Sequence, residues 1–77
     1  MKYITLQDLI YSGLPKNTII HVYNMYNKLV VTEQAQYIDE RIGKCEIYEI
    51  EIRGLNSLRV KIDSTIDANE FKDDDDI

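Results

Sequence analysis

A chain of 77 residues with one cysteine, one histidine and a formal net charge of −5 is one domain at most. It holds no internal disulfide, no cysteine–histidine metal spacing and no apolar run longer than three residues, which excludes a disulfide scaffold, a zinc module and a membrane-spanning helix. The charge is unevenly spread: residues 63–77 carry seven acids against one base, a net −6, while residues 1–62 carry eight bases against seven acids, a net +1.

The clearest local signal comes first. Thr5 is placed to cap a helix and Asp8, three residues on, to complete a capping box, with Ile4 and Leu9 at the two staple positions. Gly13 suits the left-handed residue that ends a helix, and Pro15 cannot continue one. The spacing predicts a helix over about 5–12, too short to hold itself together in water, so Leu6, Leu9 and Ile10 must dock on another layer.

That layer reads as a sheet. Residues 18–24 are β-branched and aromatic with Ile20 and Val22 facing inward, Asn24 to Asn27 make a loop, and residues 28–33 return, giving a hairpin. Ala35, Ile38 and Ile42 have helical spacing with Gly43 as a C-cap, which predicts a short helix over 36–42. Residues 45–53 are strand-like, but Cys45 and Ile47 share one parity and Ile50 and Ile52 the other. A change of face within a strand requires a bulge or break near Tyr48 and Glu49. Gly54 to Ser57 supplies a turn, and residues 58–62 alternate cleanly, with Leu58, Val60 and Ile62 inward and Arg59 and Lys61 in water.

The expected fold class is therefore α+β: a short N-terminal helix on a mainly antiparallel four-stranded sheet. Residues 1–62 form the domain, and residues 63–77 an acidic, mostly disordered tail in which Ser64 to Asp67 could cap a brief helix. A core of this size hides only about 60% of the surface its unfolded chain exposes, so self-association into a homodimer is the remaining aid to stability. A single unpaired cysteine fits a reducing, cytoplasmic setting.

Chemistry-bearing groups are sparse. His21 shares a strand face with Ile19 and Tyr23, and no carboxylate or nucleophile is singled out for it. Cys45 lies between Lys44 and Glu46, whose charges cancel, and reads as a structural thiol. The glycines at 13, 43 and 54 are too far apart to cradle a phosphate. No cofactor and no metal is expected, nor is an enzyme. Binding is the better reading, because six of the seven aromatics are tyrosine, a side chain suited to half-exposed contact surfaces. Tyr23, Met25 and Tyr26 around the first hairpin tip are the expected contact residues on the body. Asp67, Glu70, Asp73, Asp74, Asp75 and Asp76 are their counterparts on the tail, where a basic partner would be attracted. Direct nucleic-acid binding is not expected, since nothing makes a basic stripe.

The order of Thr5-Leu6-Gln7-Asp8-Leu9-Ile10, then Leu14-Pro15-Lys16-Asn17-Thr18-Ile19-Ile20-His21-Val22-Tyr23-Asn24, resembles small proteins of phages and mobile elements in low-GC Gram-positive bacteria. The stretch Arg41 to Ile62 is similar too, so the likeness spans about residues 4–62. It implies a small α+β domain and transfers no binding residue. Small acidic phage proteins of this size often resemble anti-CRISPR and other anti-defence inhibitors. That likeness implies a host protein as partner, with a basic nucleic-acid-binding surface, in the host bacterial cytoplasm. A self-assembling structural or accessory module of a phage particle or replication complex is the alternative.

Overall fold

The computed structural model describes residues 4–71. Helix α1, Leu6–Tyr11, opens on the expected capping box: the Thr5 hydroxyl accepts from the Asp8 amide at 3.1 Å, and the Asp8 carboxylate accepts from the Thr5 amide at 3.0 Å. It ends where the Ser12 amide and hydroxyl both donate to the Leu9 carbonyl. Gly13 follows at φ 119°, a conformation that side chains other than hydrogen rarely adopt. Leu6 is completely buried, and Leu9 and Ile10 pack at its margin.

Four strands form one sheet: β1 (Ile19–Tyr23), β2 (Leu29–Gln34), β3 (Ile47–Gly54) and β4 (Ser57–Ile62), in the spatial order β2-β1-β4-β3. β1–β2 and β3–β4 are antiparallel hairpins. The central pair, β1 and β4, is parallel, with Ile20 opposite Leu58 and Val22 opposite Val60. The sheet is thus mixed and mostly antiparallel. Ile47 faces Ile62 and Glu49 faces Lys61, so Tyr48 is an extra residue on β3. That bulge produces the change of face expected there, and it brings Ile47, Ile50 and Ile52 onto one side of the sheet. A second slip, between Val22 and Tyr23, leaves Val30 unmatched on β2 and turned into the core.

Leu6, Ile20, Val22, Val60, Ile62 and Ile42 are the fully buried centre of the core. Each such side chain contributes about 1.5–3 kcal/mol relative to exposure. Leu6, Ala35 and Ile42 from the helical segments pack on the face of the sheet that carries Ile20, Val22, Val60 and Ile62; among the described residues no helix is part of the core on the opposite face.

The helix expected over 36–42 is two pieces. A 3₁₀ turn spans Ala35–Tyr37, and the four-residue helix α2 spans Glu40–Gly43. Ile38 and Asp39 between them are extended, at ψ 129° and 138°, which lets the Asp39 side chain cap α2 by accepting from the Arg41 amide at 2.8 Å. The apolar spacing was sound, since Ala35 and Ile42 are buried and Ile38 half-buried, but it is met by a kinked path. Gly43 does not serve as the C-cap; Lys44 does.

Past Ile62 the chain stays on the domain: Ile66 packs against the core, and the 3₁₀ turn beyond it lies against β2. Asp67 starts this turn, over Ala68–Phe71, accepting from the Asn69 amide at 2.8 Å. The disorder expected for the last six residues concerns 72–77, outside the described residues. Among the described residues no helix is long and apolar enough to cross a membrane.

Candidate interaction surfaces

The first hairpin tip is built around Asn24, which is 2% exposed. Its side-chain oxygen accepts from the Tyr26 amide at 2.9 Å and the Lys28 amide at 3.1 Å, while its amide nitrogen donates to the Ile66 carbonyl at 2.9 Å. The Met25 amide donates to the Ser64 carbonyl, also at 2.9 Å, and Asn27 closes the turn at φ 64°. A turn held at this many points has little backbone freedom left to lose. Those side chains are apolar: Met25 is 45% exposed and Tyr26 63%, with Leu29 beside them on β2. Asn24 and Leu29 carried no functional signal in the sequence, because an asparagine in a turn usually serves its own loop only.

The same bonds place the beginning of the acidic segment at the tip. Ile66, held by Asn24, is followed directly by Asp67, and both Asp67 and Glu70 are exposed. Asp73, Asp74, Asp75 and Asp76 lie outside the described residues. Two regions that sequence treated separately, Met25–Tyr26 and Asp67–Glu70, are therefore joined through Ser64–Ile66. Tyr23 stands opposite Leu29 across the β1–β2 pair, at the base of the tip. Its ring is half-buried on the open sheet face, with the Arg59 guanidinium 4.4 Å from its centroid.

That open face carries a row of polar side chains. His21 is flanked by Thr32 Oγ1 at 3.3 Å from Nδ1 and by Ser57 Oγ at 3.2 Å from Nε2. A serine and a histidine at hydrogen-bond distance are two parts of a nucleophilic pair, which sequence did not reveal because Ser57 is 36 residues away. The third position is filled by a hydroxyl where a carboxylate would stabilise the imidazolium, and the pair stands on an open sheet surface. Lys61 lies 5.0 Å from the Tyr48 ring centroid, and Glu51 contacts Arg53 at 3.3 Å and Arg59 at 3.6 Å. Each of the two tyrosine rings thus has a cation over one face.

A surface groove of about 530 Å³ runs between α1, the turn after it, and α2, lined by Ile10, Leu14, Ala35 and Ile38 with Gln7 and Lys16 at its sides. Its volume lies within the usual ligand range. Nearby, the Arg41 guanidinium donates to Asp39 from Nε at 3.0 Å and from its terminal nitrogen at 2.9 Å, holding the Asp39 carboxyl below its usual value. Cys45 is half-buried and its thiol donates to the Arg41 carbonyl at 3.4 Å. Among the described residues no group of three or more histidine, cysteine or carboxylate side chains is arranged to hold a metal ion.

Edge strand β3 is the surface that sequence missed. Ile50 and Ile52 alternate like inward residues, and the register does place them beside Val60 and Leu58 on the helix side of the sheet. They are nonetheless 44% and 75% exposed, because no helix among the described residues extends over β3. A strand at the covered centre and one at a bare edge share the same alternation.

The chain matches no family model, no curated protein and no solved structure.

Proposed function

We propose that this chain is a non-catalytic protein-binding module whose contact surface is the β1–β2 tip together with the start of the acidic segment. The observation that carries this reading is the bond from Asn24 to Ile66, which ties the turn bearing exposed Met25 and Tyr26 to the segment leading directly into Asp67. Apolar anchors tied to an acidic segment suit a protein surface that is apolar and basic by turns. Such surfaces occur where proteins hold nucleic acid. Together with the resemblance to phage and mobile-element proteins, this supports an anti-defence inhibitor acting in the host bacterial cytoplasm on a nucleic-acid-handling machine, by competing for its channel.

The test is to titrate the protein into a panel of candidate defence nucleases and measure their DNA binding. The wild-type chain should lower DNA binding by at least one of them, and the Met25→Ala/Tyr26→Ala variant should need about tenfold more protein or beyond for the same effect. No change across the panel would sink the inhibitor reading. Deleting residues 67–77 separates the two parts of the surface: inhibition that survives unchanged at low salt would reduce the tail to a solubility device.

A second reading, a self-assembling structural or accessory module, is favoured by one specific feature, the uncovered edge of β3.

A further inference from the structure

β3 is closed at its start and open beyond. The Leu6 amide donates to the Cys45 carbonyl at 3.0 Å and the Ile47 amide to the Ile4 carbonyl at 2.9 Å, with Thr5 bridging Glu46. From Tyr48 to Gly54 no described segment other than β4 pairs with the strand. This edge carries bare Ile50 and Ile52 on the helix side and the charged Glu49, Glu51 and Arg53 on the other, and Leu55 at its turn is fully exposed. An unpaired edge flanked by a bare apolar row is where a further strand adds.

We infer that the added strand is β3 of a second copy, running antiparallel about a two-fold axis through Ile52, so that two four-stranded sheets become one continuous sheet. The charges select the register. A two-fold axis perpendicular to the sheet keeps the isoleucines on one side only when the pairing is centred on a single residue. Centring on Ile50 sets Glu49 against Glu51; centring on Glu49, Glu51 or Arg53 sets that residue against its own copy. Like charges directly opposed are destabilising. Centring on Ile52 places Ile52 against Ile52 and each Glu51 against Arg53 of the other copy, with no like charges opposed. Arg53 is skipped in the pairing with β4, yet its contact with Glu51 at 3.3 Å shows that the two side chains lie on the same side. The pairing would also extend the small core, since Ile52 of each copy continues the apolar row that begins at Ile20 and Leu58.

This surface is separate from the hairpin tip, so the two readings can fail independently. The full chain should sediment with the mass of two chains at about 100 μM in low salt. Glu51→Arg alone and Arg53→Glu alone should each weaken self-association about tenfold or more, because each sets like charges opposite at both symmetric positions. An equimolar mixture of the two variants should regain the two-chain mass, since every opposed pair is then of opposite charge. Both residues are exposed, so unchanged circular dichroism separates lost pairing from lost folding. A wild-type monomer, a dimer indifferent to either variant, or a mixture that stays monomeric would each overturn the inference. A monomer that accepts only a foreign strand at this edge would overturn the second copy as its occupant.

Discussion

The side-chain amide of Asn24 donates to the Ile66 carbonyl at 2.9 Å, across 42 residues of sequence. One buried side chain thereby closes the first hairpin and pins the segment that follows the last strand.

Asn24→Ala removes that donor and leaves the Tyr26 and Lys28 amides without their acceptor. The expected loss is about 2–3 kcal/mol, read by urea denaturation. Asn24→Asp keeps an acceptor for both amides but sets a buried carboxylate oxygen against the Ile66 carbonyl, so it should be destabilised as well. An aspartate variant as stable as wild type would mean that the tie to Ile66 contributes little.

The glycines should separate by conformation. Gly13 has open space around it but sits at φ 119°, so Gly13→Ala should cost about 1–2 kcal/mol through backbone strain alone. At Gly43 an added Cβ would lie 3.5 Å from the Gln7 Cβ, an ordinary contact, and the residue is helical. Gly43→Ala should therefore be neutral or stabilise by up to about 1 kcal/mol. Thermal unfolding of the pair checks both, and the opposite ranking would contradict the cap assignments.

Asp39 gives the acid limb of the stability profile a named contributor. Hydrogen bonds from Arg41 depress its folded pKa, so its stabilising contribution is fully present above the ordinary value of 3.8 and is lost as pH falls through the lower folded value. The pair is largely solvent-exposed, so the contribution is small. Asp39→Asn should accordingly flatten the stability change below pH 3.8 and leave the slope near neutrality unchanged; a changed slope above pH 5 would assign the effect elsewhere.

Local features of the fold were legible where short-range physics decides them. Thr5 and Asp8 announced α1, and the parity change between Ile47 and Ile50 announced the bulge at Tyr48. The pairing of β1 with β4 was not legible, because no local pattern says which strands lie side by side. Residues 36–42 misled because Ala35 and Ile42 are buried by a broken path as readily as by a helix. At the candidate surface, Met25 and Tyr26 were visible as apolar residues in a turn. The fixing of the turn's backbone was not, since it comes from Asn24 reaching a segment that sequence placed in a tail. Ile52 was hidden for a related reason: alternation reports which face a side chain takes, and not whether anything covers that face.

Tyr26 and Met25 are exposed without contributing to the core, so their replacement should change Tm little while changing binding greatly. The most direct measurement is inhibition of DNA binding across a nuclease panel by wild type and by Met25→Ala/Tyr26→Ala, with unfolding followed on the same samples. Inhibition of at least one nuclease by the wild type, weakened about tenfold or more in a variant of unchanged stability, is the predicted result. Equal inhibition by both proteins, or none by either, would contradict the assignment of the hairpin tip as the binding surface of an inhibitor.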